Sequence, residues 1–167
     1  EAAFRAMREG YGNPSSLHEM GRSAKKMLEG ARAALALAFG CEEGCIYFTS
    51  GGSESINTAI MGAAFKNKHR GRHILSTAIE HDAVLNSLNE LKNQGYEITL
   101  AKPERDGTID LEKFLSLIRD DTILVTMQGI NNETGAVLPY KEAAARDKEK
   151  VPFGLFHLDG VQNFLKR

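Results

Sequence analysis

Short apolar runs alternate with longer amphipathic stretches along this chain. Ile46 to Thr49, Ile74 to Thr77, Tyr96 to Leu100, Ile123 to Met127 and Phe153 to Leu158 are rich in Ile, Leu, Val, Thr and aromatics. Each is too short for a stable helix, and each reads as a strand. Between them lie helical stretches at about Leu17 to Phe39, Glu54 to Lys66 and His81 to Asn93. A fourth helix follows Asp110, with Leu111, Phe114, Leu115 and Ile118 on one face, and a charged one runs around Lys141 to Lys150. Ser16 and Glu19 have the spacing of a capping box, Asp110 suits an N-cap, and Gly95 suits a helix stop. The basic segment Lys66 to His73 reads as a solvated loop, and Gln128 to Gly135 as a polar one. Strand and helix in alternation predict right-handed βαβ units. The expected fold class is therefore α/β, a mainly parallel sheet with helices on both faces.

Composition narrows the partners. At 167 residues the chain suits one well-buried domain. With 21 basic and 22 acidic residues the net charge is −1, which gives no bulk attraction to nucleic acid or an anionic membrane. There is no tryptophan, and no run reaches the ~18 apolar residues of a spanning helix. These features are expected of a soluble, cytoplasmic protein. Cys41 and Cys45 lie in one C-x-x-x-C pair with no second Cys/His cluster, so they read as ordinary thiols in a helix-to-strand turn. The chain opens in helix-like Glu1-Ala2-Ala3-Phe4, without a start methionine, and stops at Leu165-Lys166-Arg167. It is expected to be a piece of a larger protein.

The segment Tyr47 to Asn57 joins the first predicted strand to a helix through Gly51-Gly52-Ser53. Glycine admits close approach of a ligand, and the opening N–H groups of a helix attract anions. Ser53 and Ser55 add hydroxyls. The segment matches neither G-x-x-x-x-G-K-[ST] nor G-x-G-x-x-G, and alone it reads more readily as punctuation. Ligands in open α/β sheets bind beyond the carboxyl ends of the strands. The residues there are Gly51, Gly52 and Ser53, then Glu80, His81 and Asp82, then Asn131, Asn132 and Glu133, then Asp159 and Gln162. Each has a plainer reading: His81 and Asp159 as helix caps, Asn131-Asn132 as turn chemistry. Their arrival on one rim favours a shared site. A phosphate anchor, a flat imidazole, an amide and a carboxylate suit pyridoxal 5′-phosphate (PLP). His81 would stack on its ring, Asn132 and Gln162 would bond its hydroxyl, and Asp159 would keep its ring nitrogen protonated.

Six motifs run in order along nearly the whole chain. They are Gly12-Asn13-Pro14-Ser15-Ser16 with His18 and Gly21, then Phe48 to Asn57, Glu80 to Leu85, Asp106 to Asp110, Asn131 to Gly135 and His157 to Gln162. In them the chain resembles the cysteine desulfurases of the class V aminotransferase group, PLP enzymes of fold type I. The resemblance implies an incomplete PLP-binding large domain over residues 16–167, preceded by an N-terminal helix and loop, 1–15, belonging to a smaller domain. It implies that Gly52 and Ser53 hold the cofactor phosphate, that His81 stacks on the ring as the catalytic residue, that Asn132 and Gln162 bond the ring oxygen, and that Asp159 pairs with the ring nitrogen. Serine stands at 53 where many relatives have threonine, which keeps the hydroxyl. It further implies L-cysteine as substrate, L-alanine and an enzyme persulfide as products, iron–sulfur cluster or thiocofactor assembly as destination, a homodimer, and a sulfur-acceptor or scaffold partner.

The resemblance also implies what is missing. The family's cofactor-anchoring lysine, in a Ser-x-His-Lys segment, lies well beyond the aspartate–glutamine motif, and Lys166 is too close to Asp159 to be it. The sulfur-accepting cysteine and the substrate-clamping arginine lie further on still, and Cys41 and Cys45 match neither role. The chain alone is expected to be inactive. The alternatives are a selenocysteine lyase or other class V aminotransferase, a non-catalytic α/β binding module, and a sugar-phosphate or nucleotide binder.

Overall fold

Strands His73–Thr77 (β1), Glu97–Ala101 (β2), Thr122–Gln128 (β3) and Leu155–Asp159 (β4) form one sheet in the order β2-β1-β3-β4. Every pairing is parallel. The computed structural model describes residues 1–150 and 154–164. Contacts divide the chain into two compact units, Glu1–Phe48 and Thr49–Arg167, whereas the sequence places its domain boundary after Ser15.

The first unit holds helices Ala2–Glu9 (α1) and Glu19–Phe39 (α2) and a 3₁₀ turn, Glu43–Cys45. Gly40, at φ 65°, closes α2 in the left-handed conformation that favours glycine. The cap of α2 differs from expectation. His18, not Ser16, is the N-cap, and its Nδ1 accepts the Gly21 N–H at 3.2 Å. Ser16 is displaced because its carbonyl lies against Gly21: a Cβ there would come within 2.3 Å of that oxygen. The strand expected over Ile46 to Thr49 is absent. The Ile46 N–H goes to the Glu43 carbonyl at 3.1 Å, and the Arg32 guanidinium donates to the Ile46 carbonyl. With both groups used, Ile46 has nothing to offer a ladder. Cys41 and Cys45 are free and exposed, Cys41 just ahead of the 3₁₀ turn and Cys45 at its end, rather than before a strand.

The second unit carries the sheet and helices Gly52–Asn67 (α3), Asp82–Asn93 (α4), Leu111–Ser116 (α5) and Tyr140–Lys150 (α6). β1 and β3 are buried at every residue, because successive side chains face opposite layers. Ile74 and Leu124 join Ile56, Ile60, Val84, Leu88 and Leu91 from α3 and α4. Leu75 and Val125 turn the other way, to Phe114, Leu115 and Ala143 from α5 and α6. Helices thus cover both faces, as the alternation predicts. Tyr96 lies just ahead of β2 rather than in it. Gly95, at φ 85°, folds the chain back so that the Tyr96 N–H meets the Leu91 carbonyl, and its hydroxyl donates to the Ala64 carbonyl at 3.1 Å. Phe153, the expected start of the last strand, lies outside the described residues. Asp110 caps α5 as expected, accepting from the Lys113 N–H at 3.0 Å.

Buried His73 ties the sheet together sideways. Its Nδ1 lies 2.7 Å from Thr122 Oγ1 and its Nε2 2.8 Å from Thr99 Oγ1. Burial, reinforced by Arg119, lowers its pKa. The unfolded chain therefore binds the extra proton first, and His73 contributes stability that is lost as pH falls. His73→Gln is expected to be less stable than wild type at about pH 8 and to close that gap by about pH 5, as urea denaturation at both values would reveal.

Candidate functional site

Parallel strands end on one edge, so the turns after β1, β3 and β4 share a rim. The start of α3 belongs beside them: a Cβ on Gly52 would lie 3.5 Å from Val161 Cγ2, just after β4. The N-cap of α3, Gly51, makes no side-chain capping bond. The polar side chains before the helix serve the loop instead. Glu54 Oε2 accepts from Ser50 N at 2.7 Å and Ser50 Oγ at 2.6 Å, which lowers the Glu54 pKa and keeps it ionised. Thr49 Oγ1 donates to the Gly51 carbonyl and pairs with Ser55 Oγ at 2.6 Å. The first-turn N–H groups at Gly52 and Ser53 thus face an exposed surface with no side-chain cap. Gly51 has φ 170°, extended backbone open to any residue, and a Cβ there would meet nothing. The space in front of this turn is open.

The β1–α4 junction is held from β3. Glu80 Oε1 accepts from Thr77 Oγ1 at 2.6 Å and from the Gln128 N–H at 3.0 Å. The Gln128 side chain donates to the Ile79 carbonyl, and Asn131 Nδ2 donates to the same carbonyl at 2.9 Å. Glu80 is 5% exposed, and its Oε2 has no partner among the described residues. Burial pushes its pKa up to about 7 against the pull of the Thr77 and Gln128 bonds, and Asp159 pushes the same way. His81 caps α4, its Nδ1 accepting the Ala83 N–H at 3.1 Å. In the neutral ring the hydrogen therefore sits on Nε2.

Asn131 is buried and structural. Its Oδ1 accepts from the N–H groups of Glu133 and Thr134 and from Thr134 Oγ1, closing the loop that exposes Asn132. Asp159, 8% exposed at the end of β4, pairs in register with Gln128. Its Oδ1 accepts the Val161 N–H at 3.0 Å, so it does cap the turn that carries Gln162. His157, two residues earlier, is bonded to Thr126 Oγ1 at 2.8 Å, and burial lowers its pKa.

The predicted residues fall into two neighbouring groups on this rim. His81 and Asn132 line a cleft of about 240 Å³ with Glu80, Asp82, Glu133 and Thr134. Gly52 and Ser53 open α3 beside the turn that carries Asp159 and Gln162, and these four do not line that cleft. Glu80 links the groups, bonded to Gln128 and within electrostatic reach of Asp159. The supporting roles of Glu80 and Gln128 escaped sequence reasoning. The signal available was a glutamate between an apolar strand and a helix cap, where burial strands a charge.

A model of the family described as Aminotransferase class-V matches residues 1–167. The chain belongs to that family. Cysteine desulfurase IscS of Methanosarcina thermophila is 44% identical over 162 residues, 97% of this chain and 40% of that protein. Cysteine desulfurase IscS of Dictyoglomus turgidum is 40% identical over 162 residues, 97% of this chain and 41% of that protein. This class V chain spans about two fifths of the length of the curated relatives it matches. Among solved structures, a NifS-like protein superposes with a TM-score of 0.90 at 36% identity, over 96% of this chain and 44% of that one. SspA in complex with cysteine gives 0.87 at 33% identity, over 97% and 46%. DndA from Streptomyces lividans gives 0.86 at 38%, over 96% and 44%. Class V aminotransferases and cysteine desulfurases are generally PLP-dependent.

Proposed function

We propose that this chain is the cofactor-cradling part of a PLP-dependent cysteine desulfurase, an enzyme that removes sulfur from L-cysteine to give L-alanine and an enzyme persulfide. The observation that carries the reading is the uncapped first turn of α3 set beside the buried carboxylate of Asp159. An open anion site and a buried carboxylate on one rim suit the two ends of a phosphorylated pyridine. The residues present therefore fit the group.

When bound, PLP supplies an electron sink for the carbanion formed at the substrate Cα. The N–H groups of Gly52 and Ser53, with the Ser53 hydroxyl, hold the phosphate at the positive end of α3. His81 is assigned to stacking on the ring and to catalysis, with its Nδ1 already fixed by the Ala83 N–H. Asn132 and Gln162 hydrogen-bond the ring oxygen. Asp159 holds a proton at the ring nitrogen. In the whole protein we place residues 1–15 in a smaller domain and 16–167 in the large one. The same proposal includes a cytoplasmic homodimer that passes sulfur to an acceptor or scaffold protein for iron–sulfur cluster or thiocofactor assembly. In its support, no described helix is long and apolar enough to cross a membrane.

The test is L-cysteine-dependent formation of alanine by the full-length enzyme. Selective turnover of selenocysteine, or amino transfer without sulfur release, would assign it to another class V activity. The 167 residues contain no Ser-x-His-Lys segment, and Lys166 lies outside the described residues. The chain alone is expected to release no alanine or sulfide above a protein-free blank. Borohydride reduction with PLP, followed by peptide mapping, is expected to label no lysine specifically; specific labelling at Lys166 would show that the anchoring lysine is misplaced here.

A further inference from the structure

We propose that Glu80 is a positioning residue for the cofactor ring, a buried carboxyl that locks the junction carrying His81 onto the exit of β3. The inference rests on the cofactor reading above. Three donors from residues 128–131 converge on two consecutive residues: the Gln128 N–H on Glu80 Oε1, and the side chains of Gln128 and Asn131 on the Ile79 carbonyl. Thr77 Oγ1 completes the clamp from β1. His81 is the next residue, so its ring inherits the position of this clamp. Asp159 pairs in register with Gln128 across β3 and β4, so the same residue relates the stacking residue to the residue assigned to the ring nitrogen.

Below about pH 7 the carboxyl is neutral. Oε1 has two donors, whereas Oε2 is enclosed without a partner, and a buried charge so placed is poorly stabilised. The charged and titratable groups around it are His81, Asp82 and Glu133 on the cleft wall and Asp159 on β4. Among the described residues the cleft wall has no lysine or arginine. A proton on Glu80 thus leaves Asp159 without a second negative charge beside it, and that arrangement weakens as pH rises through about 7.

Glutamine can accept both bonds at Oε1 and stays neutral; alanine is also neutral but can accept neither bond. Titrations of PLP and of inorganic phosphate into the chain, as wild type, Glu80→Gln, Glu80→Ala and Thr77→Val, separate positioning from folding. Glu80→Gln is expected to bind PLP within about twofold of wild type, and Glu80→Ala about tenfold more weakly. Thr77→Val, which removes one arm of the clamp at nearly constant volume, should fall between them. Phosphate binding at α3 should be the same in all four. Equal PLP binding in all four, a parallel loss of both ligands, or a glutamine variant as weak as alanine would overturn the proposal while leaving the cofactor reading intact. Absence of PLP binding in wild type would overturn both. Should the alanine variant not fold, Thr77→Val against Glu80→Gln decides.

Discussion

Asp159→Asn in the full-length enzyme is expected to keep the fold and bind PLP while losing turnover by roughly 10²–10³-fold, the usual size of a lost preorganised charge at a developing anion. The argument starts from the turn. Asp159 Oδ1 accepts the Val161 N–H at 3.0 Å, and an asparagine oxygen can do the same. The turn bearing Gln162 therefore survives the substitution. What is removed is the negative charge, which in the functional reading holds a proton at the ring nitrogen and so stabilises charge leaving the substrate Cα. The phosphate contacts proposed at Gly52 and Ser53 do not involve Asp159, so cofactor retention should change little. Asp159→Ala deletes the turn bond as well, and should weaken retention too. The measurements are bound PLP per subunit and the initial rate of alanine formation. An asparagine variant that turns over like wild type would reduce Asp159 to the cap of its turn. One consequence needs no cofactor: Asp159 helps to raise the Glu80 pKa, so Asp159→Asn should lower it.

The strands of the sheet were legible because β1 and β3 are covered on both faces, which requires continuous apolar runs. The rim was legible for a related reason. Once strands are parallel, whatever follows them shares an edge, and Gly52, His81, Asn132 and Asp159 each follow a strand or open a helix there. The misreading of Ile46 to Thr49 came from treating an apolar run as sufficient. A strand also needs free backbone groups, and Arg32, distant in sequence, takes the Ile46 carbonyl. Ser16 and Glu19 had the spacing of a capping box, but the close approach of Ser16 to Gly21 handed the cap to His18. The plain and functional readings of His81 and Asp159 proved compatible. One atom of each serves a local N–H, and the rest of the side chain stays available. Glu80 was legible as a rim residue but its clamp was not: beside the nearby Thr77, the Gln128 N–H that holds it comes from far along the chain.

Glu80→Gln is expected to gain stability over wild type as pH rises, and the sign follows from linkage. Glu80 has an ordinary pKa of 4.5 and is pushed up to about 7 in the folded chain by burial. Between those values the folded state binds more protons than the unfolded state, so the slope of stability with pH is negative. The favourable contribution is fully present below about pH 4.5 and is lost as pH rises through about 7. The span between the two values corresponds to about 3 kcal/mol. Glutamine has no such dependence. His73 and His157, whose lowered pKa values act in the opposite sense, are common to both proteins and cancel in the difference. So does Asp147, whose pKa burial raises to about 6. Urea denaturation of both proteins at about pH 5 and about pH 8 should show the glutamine variant gaining on wild type by about 2–3 kcal/mol across that range. A constant difference would mean that Glu80 is ionised in the folded chain throughout, and that its unpartnered oxygen carries the charge rather than a proton.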